Sequence, residues 1–278
     1  MNINGKTRLF AIIGNPVSHS LSPAMHNAAF AELGINAAYV PIKADNIEQT
    51  VAGLRTLGFV GASVTVPFKE TVMGCLDKID PTAAKIGAVN TLAFRQTDQE
   101  KICICNGYNT DWIGSNSALA QVIDLKGATA LVIGAGGAAK AVVFGLLTAG
   151  AKVTIANRTQ EKAEGLALEL GCDSVPFENI ATTSADILIN TTTVGMAPHS
   201  GRSPVASELL PNYQVVMDIV YAPLQTTLLK QAIACGCKVI DGLDMLLYQG
   251  VEQFRIWTGV QPPPSVMRKA LLKAIDKL

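Results

Sequence analysis

A chain of 278 residues with 49 % hydrophobic residues can bury a full core, as one large domain or two of ordinary size. Its 22 basic and 22 acidic residues cancel, so no basic excess points to nucleic acid, and a charged ligand must be held by a local pocket. No apolar run reaches the roughly 20 residues that a membrane span needs; the first residues carry no charged-then-apolar leader, and the chain reads as cytoplasmic.

Residues 9–14 read as a strand. Residues 23–33 read as a helix, with Ser22 as N-cap and Pro23 at its first position. A strand at 38–42, a helix at 46–57 and a strand at 62–66 continue the alternation, which argues for parallel βαβ units. Two further strands follow at 90–95 and 102–106, joined by a polar turn at 96–101. A helix over 111–123 bridges to a second domain. There the alternation restarts: strand 129–133, helix 138–148, strand 152–156, helix 159–170, then strands at 186–190, 215–218 and 238–240. Helices at 243–258 and 264–275 end the chain. The expected fold is α/β in two domains, 1–112 joined by the C-terminal helices 244–278, and 113–243.

Two Cys-x-Cys pairs occur, Cys103 with Cys105 and Cys235 with Cys237. Structural zinc sites usually space their ligands about two to four residues apart. Cys103 and Cys105 lie in an apolar run and are expected to pack on one face. His19, His26 and His199 are scattered, so no metal is expected.

The run from Ala130 to Ala139 is an apolar strand entering a glycine turn, Gly134-Ala135-Gly136-Gly137-Ala138, that opens a helix. It fits G-x-G-x-x-A. The first glycine permits the tight turn, the second lets the backbone approach a pyrophosphate, and the small third residue allows close helix–strand packing. The helix N-terminus then favours the phosphates. After the next strand, an NAD site usually places an acid on the ribose 2′-hydroxyl. Here Asn157-Arg158-Thr159 stands instead. Arg158 can grip a 2′-phosphate through its planar fork, which favours NADP.

Polar groups gather at other strand ends, where ligand crevices form. In Ser20-Leu21-Ser22-Pro23, two hydroxyls could bind a carboxylate beside a helix end; capping by Ser22 with a solvated Ser20 is equally compatible. Lys69, after the strand and Pro67, could be a general acid or base if partly desolvated, or a solvated surface lysine. Asp111 could keep Lys69 charged or cap the next helix, and both roles can hold together. Asn90-Thr91 and Asn109-Thr110 complete the set.

Together, the segments 14–23, 64–70, 87–91, 109–111, 134–137, 157–159 and 241–249 resemble the shikimate dehydrogenase family over nearly the whole chain. The resemblance implies an N-terminal α/β substrate domain and a Rossmann-type NADP domain, with the active site in the cleft between them. It implies reversible reduction of 3-dehydroshikimate to shikimate in aromatic amino-acid biosynthesis. By motif position, Ser20 and Ser22 would bind the substrate carboxylate, and Thr65, Asn90, Asp111 and Gln249 its hydroxyls. Lys69 would be the acid/base, paired with Asp111. Tyr221 would lie by the substrate, and Ile219 and Gly242 near the nicotinamide. A small-molecule substrate, with a monomer or homodimer, is expected. Two residues depart from the family pattern: Ser63 stands where Asn is expected, which would remove a substrate contact, and Trp112 where Gly is usual, which would add bulk at the mouth of the site or the hinge. Two competing readings are a quinate/shikimate enzyme with relaxed cofactor use and a non-catalytic binding paralogue.

Overall fold

The computed structural model describes residues 3–96, 103–197 and 200–276. The chain divides into two compact units, Met1–Thr110 with Gln249–Leu278, and Asp111–Tyr248.

The first unit begins β1 (Arg8–Gly14), α1 (Ser22–Glu32), β2 (Ala37–Lys43), α2 (Ile47–Thr56) and β3 (Gly61–Val64). β1 pairs in parallel with both β2 and β3, so both its edges are hydrogen-bonded, and five of its seven residues are buried. β4 (Lys78–Ile79), α3 (Pro81–Ile86), β5 (Thr91–Gln96) and β6 (Cys103–Tyr108) extend the sheet, in the order β2-β1-β3-β5-β6-β4. β5 runs antiparallel to β3 and β6. The turn expected at 96–101, and Ile102, lie outside the described residues beyond Gln96. Cys105 is buried and Cys103 packs against the same cluster, with Val51, Leu54 and Phe94. An aromatic cluster of Phe10, Phe30, Phe254 and Trp257 contributes to the core.

The start of α1 departs from expectation. Ser22 is not the N-cap; Leu21 holds that place and makes no side-chain cap bond. The Ser22 N–H donates instead to Ser20 Oγ at 3.3 Å. The hydroxyl two residues upstream thus satisfies one of the helix's open donors, and Ser22 becomes its first residue. Asp80 caps the short α3 by accepting from Thr82 N and Ala83 N, an element the sequence pattern left unassigned.

The second unit comprises α4 (Asp111–Leu119), β7 (Thr129–Ile133), α5 (Gly137–Thr148), β8 (Lys152–Asn157), α6 (Gln160–Leu170), β9 (Asp173–Pro176), β10 (Ile187–Asn190), β11 (Val215–Asp218), α7 (Thr227–Ala234) and β12 (Lys238–Ile240). α8 (Gly242–Thr258) runs on across the unit boundary, and α9 (Pro264–Ile275) belongs to the first unit. All strands of the second sheet are parallel, in the order β12-β11-β10-β7-β8-β9. That is the doubly wound order whose direction reverses between its first and fourth strands, here β7 and β10, and ligands bind at such a reversal. α4 ends at Leu119, short of the expected 123, and Val122 and Ile123 pack onto the core. β9 is a four-residue edge strand ending in proline, too short to show an alternation. The Trp112 ring packs edge-on against Phe144 of α5 at 5.8 Å.

Candidate active site

In the first unit, the segments that follow β1 and β3 are tied together where their strands end. Asn15 N donates to Val66 O, and Thr65 N to Ile13 O. Lys69 lies in the turn after β3, half-buried, with its carbonyl accepting from Val89 N at 2.7 Å. This places the Lys69 main chain beside the segment that leads into Asn90. Asn90 is 2 % exposed and Gln249, on α8, 7 % exposed. Asn90 Oδ1 accepts from Thr110 N at 2.8 Å and from Thr91 Oγ1 at 2.7 Å. Its Nδ2 donates to Thr110 Oγ1 at 3.0 Å and to Gln249 Oε1 at 3.5 Å. Asn90 and Gln249, 159 residues apart in the chain, are therefore neighbours. Ser20 and Ser22 are joined through the bond at the head of α1, and Ser22 is buried. Lys69 lies in the first unit, whereas Asp111, also buried, opens the second.

In the second unit, Gly134 ends β7 with φ +117°, where a Cβ would come 2.5 Å from Thr191 Oγ1. Only glycine suits that backbone. Thr191 follows β10, so the strands on either side of the reversal meet at this point, and Thr191 Oγ1 donates to Ile133 O at 2.7 Å. Ala135 follows Gly134. Gly136 is the N-cap of α5, and Gly137 and Ala138 are its first residues. A Cβ at Gly136 would meet nothing within 4 Å, so space lies beside the backbone at the head of α5. β8 ends at Asn157, whose Nδ2 donates to Thr159 O at 2.9 Å, and Thr159 is the N-cap of α6. Arg158 between them is exposed. Beyond β11, Ile219 and Gly242 are adjacent: a Cβ on Gly242 would collide with the Ile219 carbonyl. Burial raises the Tyr221 hydroxyl above its ordinary pKa and keeps it neutral.

Several residues that position these groups escaped the sequence reading. Asp218, at the end of β11, is fully buried. It accepts from Asn190 Nδ2 at 2.9 Å, Thr226 Oγ1 at 2.7 Å and Val220 N at 3.1 Å. Burial raises its pKa to about 6, against the opposing pull of those bonds. The cluster ties the Ile219–Tyr221 segment to α7, which Thr226 also caps through Leu229 N. Asn190 in turn fixes the next loop, with Oδ1 accepting from Thr192 N and Thr192 Oγ1. An Asn and an Asp each closing an apolar strand were the available signals. In the first unit Tyr39, Ser63 and Gln253 were missed as partners: Ser63, the family departure, is joined to both of the others.

The arrangement can hold a dinucleotide over the second sheet and a polyhydroxylated ligand against the first unit's amides. Comparison with known proteins agrees. Residues 12–92 match the shikimate dehydrogenase substrate binding domain, residues 116–219 shikimate / quinate 5-dehydrogenase, and residues 242–272 the shikimate 5'-dehydrogenase C-terminal domain. The shikimate dehydrogenase (NADP(+)) of Methanothermobacter thermautotrophicus is 47% identical, with 99% of each chain covered. A crystal structure of a shikimate dehydrogenase in complex with NADP+ superposes with a TM-score of 0.91 at 42% identity, covering 99% of this chain and 98% of that one. The shikimate 5-dehydrogenase of Thermus thermophilus, in complex with NADP(H) and shikimate, gives 0.87 at 42% identity, covering 96% of this chain and 100% of that one.

Proposed function

The chain belongs to the shikimate dehydrogenase family, and on that premise we propose that it catalyses the reversible NADP-dependent reduction of 3-dehydroshikimate to shikimate, in aromatic biosynthesis. The observation that carries the cofactor side is the doubly wound sheet with Gly134 at its reversal and Arg158, with no acid beside it, after the second strand. Amides at Gly136, Gly137 and Ala138 would hold the pyrophosphate. Asn157, Arg158 and Thr159 would surround the 2′-phosphate, with the Arg158 fork as its counter-charge. Ile219 and Gly242 would flank the nicotinamide. NADP, when bound, supplies or takes up the hydride.

On the substrate side, Ser20 and Ser22 would hold the carboxylate, and Thr65, Asn90 and Gln249 the ring hydroxyls, with Tyr221 beside them. Charge develops on the ketone oxygen as hydride reaches its carbon. The Lys69 ammonium stabilises that charge and donates the proton; in the reverse direction it takes the proton back. Asp111 would orient Lys69 and keep it charged. The proposed setting is the cytoplasm, as monomer or homodimer. The six cysteines are all free, as a reducing compartment leaves them.

The test is an absorbance assay of nicotinamide reduction with shikimate or quinate, each against NADP and NAD. Shikimate with NADP is expected to give the highest kcat/KM. Quinate winning by a wide margin sinks the substrate assignment, and NAD winning sinks the role of Arg158. No turnover with any pair makes the chain a binding paralogue.

A further inference from the structure

A buried hydrogen-bond chain joins Tyr39, on β2, to Asn90, and two main-chain groups dictate its direction. Gln253, on α8, places one end of its side-chain amide 3.2 Å from Asn90 O and 3.0 Å from Thr91 Oγ1. A carbonyl only accepts, so that end is the NH2. The other end is therefore Oε1, and Ser63 Oγ, at 2.7 Å, must donate to it. Its single hydrogen spent, Ser63 must accept from Tyr39, whose hydroxyl lies at 2.6 Å. In the opposite direction, Thr91 Oγ1 accepts from Gln253 and so directs its hydrogen to Asn90 Oδ1 at 2.7 Å. The Thr110 N–H, which only donates, lies 2.8 Å from the same oxygen. Asn90 is thereby held with Oδ1 on Thr91 and the Thr110 N–H, and with Nδ2 on the side of Thr110 Oγ1 and the long 3.5 Å contact to Gln249 Oε1. The Tyr39 ring cannot swing to break the chain, because it stacks on His26 at 4.6 Å and both side chains are fully enclosed.

We propose that Tyr39, Ser63, Gln253 and Thr91 are positioning residues that lock the Asn90 amide with its NH2 toward Gln249, so that a substrate oxygen arriving there replaces the long Gln249 contact and meets an N–H rather than a carbonyl oxygen. The proposal rests on Asn90 being a substrate-binding residue.

The test is steady-state kinetics on the full chain, with shikimate and NADP varied separately, for Thr91→Val, Thr91→Ser and Asn90→Ala, each with its thermal unfolding. Valine keeps the shape of threonine and removes the hydrogen directed at Oδ1. Thr91→Val is expected to raise the shikimate KM about tenfold, the equivalent of one hydrogen bond at about 1.4 kcal/mol. The NADP KM should stay within about twofold, and Thr91→Ser should restore the shikimate KM. A general structural defect would not separate the two substrates or be rescued by serine. If Asn90→Ala raises the shikimate KM while Thr91→Val leaves it unchanged, the positioning proposal is overturned. If Asn90→Ala itself leaves it unchanged, the placement of Asn90 in the substrate site fails instead. Should Thr91→Val not fold, Gln253→Met, which frees Thr91 to turn its hydrogen away from Oδ1, is read by the same criteria.

Discussion

The proposed cofactor face of the second unit is made mostly of main chain. Its parts are the turn at Gly134, the open amides at the head of α5 and the close approach of Gly242 to Ile219. The proposed substrate face of the first unit is made of side-chain amides and hydroxyls around Asn90, drawn from β5, the segment before α4, and α8. A main-chain site keeps its donors through most side-chain changes and is sensitive mainly where a Cβ cannot fit. A side-chain site can lose its direction with a single hydrogen. The first unit should therefore govern substrate and turnover, and the second cofactor, with little crossover.

Lys69→Met gives the strongest test of that separation. Removing the ammonium takes away both the proton source and the counter-charge. Turnover should fall by roughly 10² to 10⁴, the range typical of a positioned general acid. Shikimate binding by calorimetry should persist, and so should NADP binding. Near-normal turnover would show that Lys69 is a solvated surface lysine after all. Arg158→Ala should come next in size. Loss of a charged hydrogen-bonding partner worth about 1.5–3 kcal/mol raises the NADP KM by roughly 10- to 100-fold. The NAD and shikimate KM values should hardly move. An equal rise for NAD and NADP would mean that Arg158 does not read the 2′-phosphate.

The same contrast decides what could be read in advance. The strand, glycine turn and helix within residues 129–148 were legible because they are consecutive, and so was the next strand, after which Arg158 stands. The α/β alternation was legible for the same local reason. The relay around Asn90 was not, because Tyr39 to Ser63 spans 24 residues and Ser63 to Gln253 spans 190. A single serine or glutamine carries no sign of a partner so far away. Resemblance supplied Asn90 and Gln249, but not the residues that hold them. Ser22 misled as a cap because Ser20 supplies the hydroxyl that meets its N–H. Asp218 escaped notice because an acid closing a strand is indistinguishable, in sequence, from a solvated one.

Asp218 also sharpens the comparison, since it is a fully buried carboxylate in the unit whose proposed cofactor face is mostly main chain. Its three donors, Asn190, Thr226 and Val220 N, carry no net charge, and burial outweighs them, so its pKa rises to about 6. An unfolded aspartate titrates near 3.9. The folded protein therefore binds this proton more tightly than the unfolded chain. The associated stability is fully present below about pH 4 and is lost as pH rises through about 6, by about 3 kcal/mol in all. In Asp218→Asn the amide oxygen can accept from Asn190 and Val220, and its NH2 can donate to Thr226, but nothing titrates. Unfolding of both proteins should be followed between pH 4 and 7. The difference in their stability should move in favour of the variant as pH rises, and other titrating groups cancel in that difference. A difference that stays constant with pH would mean that this carboxylate is charged at no net cost, its three donors fully offsetting its burial.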